Sequence, residues 1–312
     1  MPKRFSNDSS DDETMKPTSP ITLRTAMPEM NEPVLIVMLT GWIDASGAAS
    51  AAVEALKAST SAEIVATFDP DTFIDFRARR PVMELREGLN TRINWAVPDL
   101  RLGKDDEGRD ILILSGPEPD TAWNLFSEVV ANFAAEHGVT RMFGLGAFPF
   151  AAPHTRPPHL SCTSPSPHVL AEVPFLKSTV DVPAGMEAIL EHALTAQGIS
   201  CLGLWSQVPH YVSALAYPAA AAALLGAVQM VAGLSIDISE LRNEAQVQRE
   251  RLDQLVAANA DHLRMVQQLE EVFDEAVSSG EVDARGQTPA TGDAIAAEVE
   301  RFLREEMGRD NK

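Results

Sequence analysis

The sequence predicts an α/β fold: a mostly parallel sheet with helices on both faces, three layers in all, followed by a C-terminal helical extension. Three observations predict it. Short continuous apolar runs, residues 34–39 and 110–115 (DILILS) among them, have the composition of strands buried on both faces. Longer amphipathic segments with helical periodicity alternate with these runs. From Asp237 onward the pattern changes to an apolar seam of a/d type with no strand signal.

The elements follow in order. Residues 1–25 open polar and rich in Ser and Asp, and read as a disordered lead. Residues 26–236 form the α/β core. Its first strand, 34–39, ends in Gly41-Trp42-Ile43-Asp44-Ala45-Ser46-Gly47, a turn leading into an Ala-rich helix over 48–56. A second strand covers 63–68. Residues 73–81 are rich in Arg, and residues 92–97 alternate like a strand with one wet face. After the strand at 110–115, a helix over 121–137 places Trp123, Phe126, Val129, Val130 and Phe133 on one side. A strand covers 140–145. Residues 147–185 are Pro-rich and irregular, a length that signals function or an interface. A helix over 186–196 has Gly198 beyond its end, a strand covers 199–205, and Pro218 starts a helix that ends near Gly233. Residues 237–279 form the helical extension. Asp237 with Glu240 resembles a capping box, and the seam runs through Ile238, Leu241, Ala245, Leu252, Leu255, Val266, Leu269 and Phe273, with a break near 258–261. Residues 280–312 read as a linker and a short amphipathic tail helix.

Charge narrows the function. Forty-five acidic residues against 25 basic ones leave a net charge of −20 over 312 residues. Nonspecific nucleic-acid binding needs clustered cations, and an anionic membrane repels this surface, so neither partner is expected. Two cysteines make neither a disulfide scaffold nor a Cys-rich metal site. No apolar segment opens the chain, and the most apolar stretch, 214–228, is short and interrupted by Pro218 and Gly226. It reads as a buried helix, and a reduced cytoplasmic location is expected.

No complete catalytic motif is present. Ser46 lies between Asp44 and Ala48, so the nucleophile-elbow pattern fails. His154, His159 and His168 lack zinc-site spacing, and no metal is expected. Cys162 reads as a buried thiol rather than a nucleophile. Gly144-Leu145-Gly146 lacks a third glycine and runs into Phe148-Pro149, so no dinucleotide cofactor is expected; nothing else implies one. Three features remain. Asp44 caps the helix after the first strand or faces a ligand at the sheet edge, with Trp42 packing beside it. Asp75, Arg77 and Arg80 lie in a 69–81 block of acids and arginines that forms a local ion-pair network or an anion-binding edge. His154 and Arg156 lie on a solvated loop or on a binding loop that meets Asp44 or Arg77 across that edge.

The segments PVLIVMLTGWIDASGAAS, FDPDTFIDFRARRP, GPEPDTAWNLF, GLGAFPFAAPHTRPP and GLWSQVPHYV, in this order, resemble the proteasome assembly chaperone 2 family in its bacterial, actinobacterial-type branch. The resemblance runs from about residue 33 to 280. It implies a three-layer core like that of phosphorylases and hydrolases, with a helical C-terminal addition. It also implies protein–protein work: relatives pair, self-associate and escort proteasome subunits. The chain ends Gly308-Arg309-Asp310-Asn311-Lys312, without the hydrophobic-Tyr-x ending some members use, so docking through that tail is not expected. The leading expectation is a non-enzymatic, assembly-chaperone-like protein that self-associates and binds a protein partner. The alternative is a small-molecule hydrolase or phosphorylase-like transferase. In that case Arg77, Arg80 and Arg156 would hold a small anionic ligand and Asp44 or His154 would move a proton, with Trp42 and Asp75 also among the candidate binding residues.

Overall fold

The computed structural model describes residues 19–278. The expected lead up to residue 18, the linker after 279 and the tail helix lie outside the described residues.

An eight-stranded sheet runs in the order β1 (Ile21–Leu23), β3 (Glu63–Phe68), β6 (Asp99–Lys104), β7 (Asp110–Pro117), β2 (Val34–Thr40), β8 (Arg141–Phe150), β10 (Ser200–Pro209) and β9 (Leu160–Thr163). The central ladders β7–β2, β2–β8 and β8–β10 are parallel. The margins are antiparallel: β6 on β7, β3 on β6, β1 on β3, and β9 on β10. By strand direction the sheet is mostly parallel, as its buried apolar runs predict.

Alternation along β2 explains the layers. Val34, Ile36 and Met38 point to one face, where α1 (Ala48–Ser59) and α6 (Pro218–Ala232) cover them. Leu35, Val37 and Leu39 point to the other, under α3 (Trp123–Glu136) and α5 (Met186–Ala196). Each face buries an apolar stripe, worth about 25 cal/mol per Å² removed from water. On the second face Phe68, Phe73 and Phe126 make an aromatic knot, with Phe68 and Phe126 centroids 4.6 Å apart. Phe73 belongs to α2 (Pro70–Phe73), a single turn whose Asp69 cap accepts from Thr72 N. Helix ends follow sequence expectation, with Gly198 and Gly233 both at positive φ beyond α5 and α6.

Several expectations need correction. Residues 21–23 are not part of a disordered lead: they pair with β3, which gives that edge an antiparallel partner. The strand expected at 92–97 is β5 (Leu89–Asn94), and it pairs only with β4 (Val82–Arg86) in a separate two-stranded hairpin. The strand next to β7 is β6, whose sequence DLRLGK carries only two apolar side chains and gave no signal. The Pro-rich 147–185 segment contains the end of β8, all of β9 and α4 (Pro167–Ala171).

The extension is a helix pair, α7 (Ser239–Ala257) and α8 (Ala260–Ser278), broken where expected. Asn259 Oδ1 accepts from Asp261 N and His262 N, which starts the second helix. Asp237 accepts from Ser239 N, two residues on, so it forms an Asx turn rather than the expected capping box. Leu241, Leu252 and Val266 are buried on the seam, but Leu255 is 58% exposed and leaves it.

Candidate functional site

Strands β2 and β8 pair from Val34–Arg141 to Val37–Gly144 and then part. The chain leaves β2 toward β3 on one side, and leaves β8 toward β10 on the other. This topological switch point is where open α/β sheets bind ligands. A bridge between Asp44 and Ala147 closes the gap again further along.

Asp44 builds the turn at this edge. Ser46 and Gly47 both take left-handed φ, so the backbone folds back and presents the first amides of α1 to Asp44. Its Oδ1 accepts from Ala49 N at 2.8 Å, and its Oδ2 accepts from Ser50 N at 3.0 Å and Ser50 Oγ at 2.7 Å. Both oxygens thus serve the helix start. Ser46 has a buried hydroxyl with no hydrogen-bond partner among the described residues.

The Arg-rich block is mostly turned outward. Asp75 accepts from Arg77 N and donates its own N–H to Asp120, while Arg79, not Arg77 or Arg80, pairs with Asp120 at 2.9 Å. Among the described residues, Arg77 and Arg80 make no side-chain hydrogen bond or ion pair.

His154 and Arg156 serve a different end of the molecule. The His154 N–H donates to Tyr211 Oη, Tyr211 O–H donates to His154 Nδ1 at 2.7 Å, and Nε2–H donates to Asp253 Oδ1 of α7 at 3.1 Å. Burial, opposed by Asp253, holds this imidazole below its usual pKa, so it is neutral in this network. Arg156 makes a fork to Asp274 at 2.8 and 2.6 Å and reaches Glu270, while Thr155 also donates to Glu270, both acids on α8. His159 stacks on Phe273, centroids 4.2 Å apart. The loop clamps the helical extension to the core. No hydrogen bond or ion pair joins Asp44, Arg77 and His154 among the described residues, so the structure does not assemble them into one shared site.

Because Val266 is the one fully buried side chain of α8, the polar clamp dominates its attachment. Arg156→Ala is expected to raise amide exchange across α8 by several-fold to about tenfold while α1 and α6 hold their protection. Unchanged exchange in α8 would show that the clamp is idle.

The cavity at the switch point, about 330 Å³, is lined, Trp42 and Cys162 apart, mostly by residues the sequence did not single out as site residues. Trp205, Phe148 and Phe150 form its aromatic wall with Trp42, and residues 176–185 roof it. Glu187 and Glu191 enter from α5, spaced i, i+4 on its buried side. Glycines clear their space: a Cβ on Gly144 would strike the Glu187 carboxylate, one on Gly146 the Trp205 ring, and one on Gly203 the Glu191 and Thr163 oxygens. Trp205 Nε1 donates to Thr163 Oγ1 at 3.3 Å, which donates to Glu191 Oε1 at 2.8 Å. Glu187 is 9% exposed and its Oε1 has no partner among the described residues. Glu118 lies alongside in a small adjoining hollow and accepts from Met186 N.

Burial pushes all three glutamates up. Glu187 rises well above the carboxylate range, with the charges of Glu191, Asp44 and Glu118 adding to its burial. Glu191 is pushed up to about 7, and Glu118 rises chiefly through burial. Cys162 also lines the cavity, and burial raises its thiol, as an inert cysteine requires. The sequence signal for these residues was faint: two glutamates one turn apart beside the apolar stripe Met186, Leu190, Leu194, and unexplained glycines inside strands.

Among the described residues no cluster of His, Cys, Asp and Glu has the arrangement of a metal site, and no helix is long and apolar enough to cross a membrane.

Comparisons with known proteins agree with this architecture. The chain is similar to a Corynebacterium glutamicum protein of unknown function, with 31% identity over 83% of this chain and 98% of that one, and a TM-score of 0.77. A PAC2 family protein from Streptomyces avermitilis is 32% identical over 75% of this chain and 99% of its own, with a TM-score of 0.68. A Mycobacterium tuberculosis proteasome-assembly chaperone homologue is 26% identical over 75% of this chain and 99% of its own, with a TM-score of 0.69. No curated protein matches the sequence. The pattern of the PAC2 family matches residues 38–256, most of the chain and nearly all of the core and α7. The chain belongs to the PAC2 family.

Proposed function

We propose that this protein is a non-enzymatic, assembly-chaperone-like binding protein, and that it self-associates through the β4–β5 hairpin. Family membership and the similarity to the proteasome-assembly chaperone homologue support the general role. The observation that carries the reading is the hairpin surface. Val82, Met83, Leu85, Leu89, Ile93 and Trp95 are 65, 49, 52, 68, 44 and 52% exposed on one projecting element. A two-stranded hairpin is marginal alone in water, and so much apolar surface on it marks a contact. The hairpin itself is balanced, with Arg86 and Arg92 against Glu84 and Glu87, but the exposed Arg77 and Arg80 lie just before it. On a chain of net charge −20, these two flanking arginines complement the acidic surface of a second copy.

A catalytic reading has less support. A proton-moving group must face substrate, whereas both Asp44 oxygens hold α1 and His154 is buried in the clamp.

Affinity capture of the native protein from its own cells, with mass spectrometry of what accompanies it, tests the chaperone role. The expected companion is a subunit of a larger assembly, held before that assembly is complete and released from the mature form. Recovery of the protein alone, or only with finished assemblies, would contradict it.

A further inference from the structure

The geometry points to a ligand site for a small organic ammonium ion in the switch-point cavity, gripped by Glu187 and Glu191 between Trp42 and Trp205. This goes beyond the binding role proposed above and does not depend on it.

The volume, about 330 Å³, lies in the range of small-molecule sites. Its chemistry is one-signed. A buried carboxylate oxygen without a partner is costly, and Glu187 Oε1 is such an atom. Gly144 leaves the room it occupies, since a side chain at that position would exclude the Glu187 carboxyl. An ammonium group supplies what is missing: three N–H donors and a compensating charge. The neighbouring indoles favour the same occupant, since an aromatic face attracts a cation through its quadrupole.

The groups facing Glu187 are all acidic or neutral. Glu191 comes from its own helix, Asp44 from the turn before α1, and Glu118 from the end of β7, with Thr163 and Cys162 on β9. The nearest cations are committed or outside: Arg79 pairs with Asp120, and Lys177 donates to the Val173 carbonyl on the exposed roof. An anion entering here would meet no cationic side chain in the lining, and it would be repelled once Glu187 and Glu191 ionise. The small anionic ligand expected from the arginines therefore has no place in this cavity: Arg156 is held by Asp274 and Glu270, and Arg77 and Arg80 are exposed elsewhere.

Without a ligand, burial keeps Glu187 protonated. An ammonium ion favours the carboxylate, so binding expels a proton from Glu187 to solvent, and affinity rises with pH through the range where Glu191 also ionises, about 7.

Calorimetry with three probes of one shape decides the matter: phenethylamine, 2-phenylethanol and phenylacetate, titrated into the full chain near pH 8. The expected order is amine tighter than alcohol by at least about tenfold, with phenylacetate weakest. The amine is expected to release protons, seen as a heat that changes with the buffer's ionisation enthalpy. Glu187→Gln is expected to weaken the amine by about tenfold or more and leave the alcohol within about twofold. Glu191→Gln provides a second variant if the first does not fold, and the wild-type probe order stands without either. Equal binding of amine and alcohol, preference for phenylacetate, or no heat from any probe would overturn the site. A lysine-bearing peptide that binds where phenethylamine does not would assign the cavity to a protein partner's side chain and equally overturn the small-molecule reading.

Discussion

Gly146→Ala is expected to destabilise the protein by about 3 kcal/mol, at the upper end of the range for overpacking a closed core. The residue sits mid-strand in β8, opposite Trp205 on β10, and a Cβ there would enter the indole ring. The ring yields less freely than a flexible chain end would, since its Nε1 is tied to Thr163 and its strand is mostly buried. The melting temperature is expected to fall by about 5 °C for a chain of this size. The same substitution displaces the aromatic wall of the cavity, so phenethylamine binding is expected to weaken alongside. Gly47→Ala is the matched comparison, because a Cβ there meets nothing and only the positive φ is strained, which costs about 1 kcal/mol. Equal stability of Gly146→Ala and wild type, by urea unfolding, would mean that the close approach of Gly146 and Trp205 does not constrain the fold.

The sequence made some of this legible and hid the rest for physical reasons. Strands β2 and β7 announced themselves because both faces are buried, leaving uninterrupted apolar runs. Helix ends were legible at Gly198, Pro218 and Gly233, where backbone geometry restricts residue choice. The β6 strand was invisible because it lies toward the antiparallel margin, where Arg101 can pair with Asp99 in partial exposure and the alternation is short. The β4–β5 hairpin read as a half-wet strand because its apolar residues cover no core of their own.

At the site, Asp44 lies in the turn after β2, and of its two readings the capping one describes its bonds. His154 and Arg156 drew notice as chemistry-bearing residues, yet their partners, Asp253, Glu270 and Asp274, lie about a hundred residues or more downstream on helices whose docking no local pattern reveals. Glu187 and Glu191 were overlooked because glutamate on a helix is ordinary by composition. Only tertiary burial distinguishes them, and only the glycines Gly144 and Gly203, read as absences of side chain, hint at what lies across them.

The hairpin carries the second large expectation. Leu85→Glu with Ile93→Glu places charge in the centre of its apolar surface without touching the eight-stranded sheet, since β4 and β5 pair only with each other. The core is expected to keep its melting temperature to within about 2 °C, because both positions are already half exposed and surface changes seldom exceed about 0.5 kcal/mol. Association is expected to fall by at least about a hundredfold, as apolar contact area is lost and two like charges face the acidic surface of the other copy. Light scattering on protein eluting from a sizing column reads this directly. The account predicts a discrete oligomer for the wild type and a folded monomer for the double variant at the same concentration. A wild type that elutes as a monomer, or a double variant that keeps the wild-type mass, would contradict it.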